Sequence, residues 1–235
     1  MPLRFLNTNL SSDTARNGSL KLTALSKTDI FASPTIGYHF SSPVAFVALP
    51  TQDFALARSK ISIPYTLSSK SPSDNPTLQF DQAGIVVVLP SSKHPEPSKH
   101  QPGTADPKQP HPKWVKVGVE VWEENGYGSV VARDRWSDWS LFDVEKPDET
   151  PSGKLSATFE LERMVDALMI YRVTESGRVP VRKVPWWFLE GETEETMWIG
   201  VYVARPDPFD QAGGKLLDAE FDGFIVKDIW GTTLT

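Results

Sequence analysis

The chain has 235 residues, of which 39% are hydrophobic and 23% charged, a composition typical of a soluble globular domain. Asp and Glu (30) outnumber Lys and Arg (24), for a formal net charge of −6. This argues against nucleic acid as a partner, because nucleic-acid affinity depends largely on cationic side chains. The absence of cysteine excludes disulfides, cysteine zinc sites and a cysteine nucleophile.

The sequence shows neither a secretory signal nor a membrane-spanning segment. Residues 1–18 lack the apolar run of a secretory signal, and no stretch approaches the roughly 18 apolar residues of a membrane span. We therefore expect a cytoplasmic protein that does not bind membranes.

Apolar residues recur mainly with a period of two, which is typical of β-strands. The predicted strands, in chain order, are 46–50, 54–67, 78–90, 113–123, 129–142, 155–162, 167–175, 181–190, 197–206 and 216–228. The stretch 160–170 could form a helix, but its β-rich neighbours favour a turn and the start of a strand. These elements predict one all-β sandwich or barrel spanning residues 1–235, in which residues 1–27 could be flexible.

Residues 91–113 are rich in proline and almost devoid of apolar side chains. Such a segment cannot bury enough surface to order itself, so it is predicted to be a mobile hairpin loop. The strands on either side, 78–90 and 113–123, are predicted to pair directly.

The strand at 113–123 has two different faces, because residues two apart share a face. One face carries valine and suits a buried interface between sheets: Val115, Val117, Val119 and Val121. The other mixes aromatic, small and charged residues: Trp114, Lys116, Gly118, Glu120 and Trp122. Flat aromatic rings beside polar groups suit a sugar, whose C–H face packs on a ring while its hydroxyls form hydrogen bonds. Alternatively, the tryptophans pack beneath the 91–113 loop.

Neighbouring strands extend this mixed face. Gln82 lies on the predicted partner strand, and Arg133 and Asp138 follow in SVVARDRWSDWS. For Trp139, packing inside the sandwich is slightly favoured. The strand 197–206 repeats the pattern, with Trp198, Gly200 and Tyr202 sharing a face. Gly84 and Gly118 either leave room for a ligand or relieve crowding in a curved sheet.

Several of these motifs resemble one family. FDQAGIVV, WVKVGVEVW, SVVARDRWSDWS, MIYRV, MWIGVYVARP and LDAEFDGFIV resemble the fungal "regulation of enolase" family, also called domain of unknown function 1349, over residues 28–228. The resemblance implies a concanavalin A-like jelly-roll sandwich of two curved antiparallel sheets. In that superfamily the concave face commonly holds carbohydrate, and the family name suggests a regulatory role in sugar metabolism.

Together, residues and resemblance favour binding of a carbohydrate or sugar phosphate on the concave face. The candidate ligand-binding residues are Gln82, Trp114, Lys116, Glu120, Trp122, Arg133 and Asp138. In this hypothesis a tryptophan stacks on the sugar, the two acids accept hydrogen bonds, and the amide and cations donate them. A protein-interaction module that uses the same aromatic face is an alternative.

A glycoside hydrolase or lyase is the enzymatic alternative. Glu120 and Glu124 share a face but lie roughly 13 Å apart along a strand, too far for either hydrolytic mechanism. Glu123 and Glu124 belong instead to a predicted hairpin turn centred on Asn125-Gly126. Glu120 would need a non-local acid such as Asp138, so no catalytic residue is assigned.

No metal or cofactor is predicted. His94, His100 and His111 fall in the proline-rich loop at spacings that match no familiar metal site. His39 is interpreted as a strand histidine whose side chain has local hydrogen-bond partners. The segment PDPFD (206–210) is a weak candidate for structural calcium and is more typical of a turn.

Overall fold

The computed structural model describes residues 1–8, 19–66, 75–90, 97, 111–145, 153–189 and 196–235. The strands within these ranges are β1 (Arg4–Leu6), β2 (Ser19–Ala24), β3 (Ile30–Ser33), β4 (Gly37–Phe40), β5 (Val44–Pro50), β6 (Phe54–Pro64), β7 (Gln82–Leu89), β8 (Lys113–Trp122), β9 (Asn125–Arg133), β10 (Ser137–Phe142), β11 (Lys154–Met164), β12 (Ala167–Thr174), β13 (Gly177–Val184), β14 (Thr196–Ala204) and β15 (Leu217–Asp228). A short 3-10 turn, Thr51–Asp53, joins β5 to β6.

The strands form two antiparallel sheets and a separate hairpin. One sheet has seven strands in the order β1-β5-β14-β7-β8-β9-β10, and the other has six in the order β13-β12-β11-β6-β15-β2. The remaining two strands, β3 and β4, pair only with each other. The predicted all-β sandwich is therefore confirmed.

The main core lies between the two sheets. The predicted valine face of β8 is buried there and packs in one cluster with Ile61, Phe159 and Phe221 of the six-stranded sheet. Each buried aliphatic or aromatic side chain of this kind stabilises the fold by about 1.5–3 kcal/mol. Burial of the valine face fixes the opposite face of β8 on the outside of the sandwich, which is where the candidate site lies.

Two hairpins differ from the predicted boundaries. The predicted strand 129–142 is two strands, β9 and β10, separated by a turn. The turn between β8 and β9 is centred on Glu123 and Glu124, whose φ angles are 46° and 58°, rather than on Asn125-Gly126. Asn125 already pairs with Trp122 in the ladder, and its side-chain amide donates to the Glu123 carbonyl at 2.8 Å. Both glutamates are exposed, as a turn requires.

The stretch 160–170 is a hairpin, as predicted, because β11 continues to Met164 and β12 begins at Ala167. Two parts of the N-terminal region 1–27 are strands, and the flexibility of this region stays a prediction. β1 pairs with β5, and β2 pairs with β15 while burying every second side chain. Residues 9–18 and most of the 91–113 loop lie outside the described residues.

Candidate ligand-binding site

The outer face of the seven-stranded sheet is the face that points away from the six-stranded sheet. On it the predicted pairing of 78–90 with 113–123 is confirmed, since β7 and β8 run antiparallel with Gln82 opposite Glu120 and Val88 opposite Trp114. The mixed aromatic and polar residues of the sequence therefore do share one surface. What covers that surface differs along its length.

One end of the outer face, the covered half, lies beneath the β3–β4 hairpin. Tyr38 and Phe40 from the hairpin pack in one cluster with Trp114 of β8 and Trp198 of β14. Trp114 is 0% exposed, so it does not line an open site. Trp114 is therefore packed rather than open to a ligand, and its cover in the described residues is the β3–β4 hairpin, which the sequence did not indicate.

Arg133 also belongs to the covered half rather than to a ligand site. Its guanidinium donates to the carbonyls of His111 and Pro112 at 2.9 and 2.7 Å and lies 4.9 Å from the ring of Tyr38. The ring of His111 stacks on Tyr38 with 4.0 Å between centroids. Arg133 thus anchors the end of the 91–113 loop against the hairpin.

The other end, the open half, holds a cavity of about 560 Å³. Its lining residues are Lys27, Asp29, Phe31, Ile36, His39, Phe80, Gln82, Lys116, Glu120, Trp122, Val131, Trp139, Pro206 and Pro208. Four predicted ligand-binding residues are among them: Gln82, Lys116, Glu120 and Trp122. The volume falls within the usual range for small-molecule sites, about 300–1,000 Å³.

The polar floor of this cavity is built around Lys116. Its buried ammonium donates to the Gln82 side-chain oxygen at 2.7 Å and lies 3.5 Å from an Asp29 carboxylate oxygen. The hydroxyl of buried Tyr202 donates to the same Gln82 oxygen at 3.1 Å. A buried ammonium is costly unless it is paired, so these contacts hold Lys116 in place.

Glu120 supplies the second carboxylate of the floor and is only 3% exposed. The indole nitrogen of Trp139 donates to it at 3.1 Å, and the Ser129 hydroxyl is a further hydrogen-bond partner. Burial raises the pKa of Glu120, while the charge of Lys116 and the two hydrogen bonds oppose the rise. The charge of Asp29 adds to it. A carboxyl with this environment is sensitive to any charge that enters the cavity.

Three aromatic rings, here called the aromatic corner, form the wall beside Glu120. The rings of Phe80 and Trp122 are 5.1 Å apart and inclined by 56°, and those of Trp122 and Trp139 are 5.3 Å apart and inclined by 67°. Trp139 is 36% exposed, so its predicted packing inside the sandwich is wrong. Alternation along β10 points it outward, on the same face as Val131 opposite it.

Phe80 has an unusual backbone that presents its ring to the cavity. Its φ of 69° lies in the left-handed region, which is disfavoured for bulky residues. A tight turn imposes this conformation, because the Phe80 amide donates to the Val121 carbonyl at 2.7 Å and an Asp81 carboxylate oxygen accepts from the Leu78 amide at 2.8 Å. Such strain persists only where the surroundings enforce it.

A buried ion pair supports that turn. The Arg205 guanidinium donates to both carboxylate oxygens of Asp81, at 3.0 and 2.7 Å, and also to the Asn75 side chain and the Pro76 carbonyl. Burial raises the pKa of Asp81, and the paired Arg205 opposes this rise. Arg205 therefore fixes the segment that carries Phe80.

Gly84 and Gly118 face each other in the ladder between the two halves. A Cβ on Gly84 would lie 2.1 Å from the Val117 carbonyl oxygen, and one on Gly118 would lie 2.0 Å from that of Ala83. These contacts favour the predicted role of relieving crowding between strands over that of leaving room for a ligand.

Asp138 does not join the site. Its carboxylate pairs with Arg182 of β13, in the other sheet, because it points to the opposite side of β10 from Trp139. The hypothetical catalytic pair of Glu120 with Asp138 is thus not formed. The second carboxylate near Glu120 is that of Asp29, which no sequence pattern indicated.

The remaining polar candidates make local contacts. His39 lies at the cavity and forms a hydrogen bond of 2.9 Å with the Ile36 carbonyl. In 206–210, Asp207 accepts from the amides of Gln211 and Ala212, as in a turn, and Asp210 pairs with Lys27 at 2.7 Å. Within the described ranges, no three His, Cys, Asp or Glu residues are grouped as metal ligands. Nor does any described segment form a helix long and apolar enough to cross a membrane.

Comparisons with known proteins agree with this architecture. The sequence matches the DUF1349 family, described as a protein of unknown function, over residues 5–229. An uncharacterized protein of Emericella nidulans is 33% identical over 208 residues, which cover 88% of this chain and 85% of that one.

Among solved structures, a functionally unknown protein of Saccharomyces cerevisiae has a TM-score of 0.62 at 17% identity, covering 97% of this chain and 96% of that one. Winged bean acidic lectin, solved with methyl-α-D-galactose, has a TM-score of 0.51 at 14% identity, covering 94% and 92%. The fold is therefore the concanavalin A-like sandwich that the resemblance implied. On its sequence, this chain belongs to the DUF1349 family.

Proposed function

We propose that the cavity of the open half binds a carbohydrate or sugar-like metabolite. One observation carries the proposal: the half-buried ring of Trp122 stands beside the buried Glu120 carboxylate within one open cavity. The ring offers a surface to the C–H groups of a sugar. Glu120, Gln82 and Lys116 offer hydrogen-bond acceptors and donors to its hydroxyls.

The fold supports this proposal by analogy. The winged bean lectin, which shares the two-sheet architecture, is a lectin in complex with a methyl galactoside. Fold alone does not assign function, so the weight rests on the residues of the cavity. A protein that binds a sugar without converting it would suit a regulatory role in sugar metabolism.

A thermal-shift screen against mono- and oligosaccharides tests the proposal. We expect a melting temperature that rises with sugar concentration for the wild type and for Asp138→Asn, and a clearly smaller rise for Glu120→Gln. Both variants remove one carboxylate charge, but only Glu120 faces the cavity. A screen in which no sugar stabilises the wild type would refute sugar binding and leave a protein partner as the alternative for this aromatic surface.

Glycoside hydrolysis or elimination is the second candidate, favoured by one observation. Burial raises the pKa of Glu120, as is common for a general acid, and Asp29 lies near the same floor. If Glu120 is catalytic, turnover of a bound glycoside falls by orders of magnitude in Glu120→Gln. We expect instead that a bound sugar is recovered unchanged after prolonged incubation with the wild type, as chromatography of the mixture will report.

A further inference from the structure

The charges of the cavity floor do not balance. Two carboxylates, Glu120 and Asp29, share the single ammonium of Lys116, so the floor has an excess of one negative charge when both are ionised. The other cation of the lining, Lys27, pairs with Asp210 at 2.7 Å and donates to the Asp207 carbonyl. An anionic ligand would thus meet carboxylates whose neighbouring cations already have partners.

Where the open half borders the covered half, two aromatic rings lie next to a positive charge. The Lys116 ammonium lies 5.8 Å from the ring centre of Trp114 and 5.5 Å from that of Tyr202, both within reach of a cation–π interaction. In the open half, Phe80, Trp122 and Trp139 provide rings of the same kind. Among the described residues, no Lys or Arg lies over these three rings.

The aromatic corner also has a shape that suits a compact cation. Its rings are inclined by 56° and 67°, so they form a recess rather than a single flat platform. Glu120 borders this recess through its hydrogen bond from Trp139. An ionised carboxylate can accept about four hydrogen bonds, so Glu120 can accept more than its contacts with Trp139 and Ser129.

We propose that the ligand carries an ammonium group: the cavity selects an amino sugar in its cationic form, with the ammonium between the Glu120 carboxylate and the aromatic corner. This inference rests on the proposed function, because it specifies the class of sugar. It also replaces the sugar phosphate expected from sequence, since two carboxylates repel a phosphate.

The pKa of Glu120 gives the proposal a pH signature. A bound cation favours the ionised carboxylate, so affinity rises with pH as Glu120 loses its proton, and falls again where the ligand amine loses its own. The charged or titratable groups that face Glu120 are Lys116, Asp29 and Tyr202, and the lining also holds His39 and Lys27. His39→Gln therefore serves as a control for a histidine origin of any pH dependence.

The test is calorimetric titration with glucosamine, glucose, N-acetylglucosamine, glucose 6-phosphate and choline, and with the corresponding galactose series. We expect the amino sugar to bind at least about tenfold more tightly than its neutral parent or N-acetyl form, with the phosphate weakest. Choline should compete with the amino sugar. Glu120→Gln should abolish the preference for the amine while melting cooperatively, and Asp138→Asn should keep it.

The outcomes separate the two proposals. Equal affinity for amino and neutral sugars overturns the ammonium inference and leaves sugar binding intact. Choline binding without binding of any sugar supports an ammonium site and overturns the carbohydrate assignment. Preference for the phosphorylated sugar, or an amine preference that survives in Glu120→Gln, overturns the inference directly.

Discussion

The two halves of the outer face contain similar residues but differ in how far these residues are buried. Trp114 and Trp122 lie on the same face of β8, eight residues apart, each beside a charged residue. The first is fully buried beneath the β3–β4 hairpin, and the second is half-buried at an open cavity. Alternation in a strand thus determines which face a side chain occupies, while a distant segment determines whether that face is open.

The largest expected effect is a loss of stability on truncating a tryptophan of the covered half, compared with one of the open half. Trp114→Ala should lower the free energy of unfolding by about 3–5 kcal/mol, the usual cost of removing a large buried aromatic. Trp122→Ala should cost clearly less, because its ring is only half-buried, yet it should abolish ligand binding. Urea denaturation of both variants checks the difference, and equal losses would contradict the division into halves.

The ion pair beneath the open half should also be costly to break. Asp81→Asn leaves the Arg205 guanidinium buried without its charge partner, so we expect a loss of about 3 kcal/mol. The exposed pair of Asp138 with Arg182 provides the control, because Asp138→Asn should cost no more than about 1 kcal/mol. Chemical denaturation of the two variants side by side gives both values. If Asp81→Asn lowered the free energy of unfolding by no more than Asp138→Asn, the ion pair would not support the Phe80 turn.

A smaller effect follows from burial of the Glu120 carboxyl. Because folding raises its pKa above the ordinary value of 4.5, the unfolded chain loses this proton at lower pH than the folded protein does. Glu120 therefore lowers stability progressively as pH rises from 4.5 through its folded pKa. Glu120→Gln should be more stable than the wild type at pH 7, and the gain should shrink toward pH 4.5.

Melting temperatures of both proteins across this pH range provide the test. The hydrogen bonds from Trp139 and Ser129 require an oxygen, which the glutamine side chain retains. A gain that is constant from pH 4.5 to 7 would show that the buried charge is not its source.

The smallest effect on stability is expected at Phe80. Phe80→Gly relieves the left-handed backbone, worth roughly 1–2 kcal/mol, and gives up the packing of a half-buried ring of comparable value. Stability should therefore change by no more than about 1 kcal/mol, while ligand affinity falls. Affinity equal to that of the wild type would exclude Phe80 from the site.

The sequence predicted the long strands of the two sheets better than the β3–β4 hairpin that covers the outer face. Long alternating runs such as β8 and β14 specify strands and their buried faces through the burial of valine and isoleucine. The β3–β4 hairpin was missed because its strands have only four residues each. Without it, Trp114 and Trp122 could not be told apart.

The site was predicted only where its residues lie on long strands. Gln82, Lys116, Glu120 and Trp122 come from two strands whose pairing was predicted from the sequence and is confirmed by the structure. Asp29 and Phe80 reach the cavity from loops, through contacts that no local pattern encodes. Trp139 could have been assigned by treating 129–142 as a hairpin, since strand alternation then places it opposite Val131 on the outer face.

Whether the open half binds the ligand is tested most directly by calorimetric titration of the best sugar into Trp122→Ala and Trp230→Ala. Trp230 is 72% exposed, lies after β15 and does not line the cavity, so its variant controls for loss of a surface tryptophan. We predict no measurable binding to Trp122→Ala and wild-type affinity for Trp230→Ala. Wild-type affinity in Trp122→Ala would contradict the account and place the ligand elsewhere.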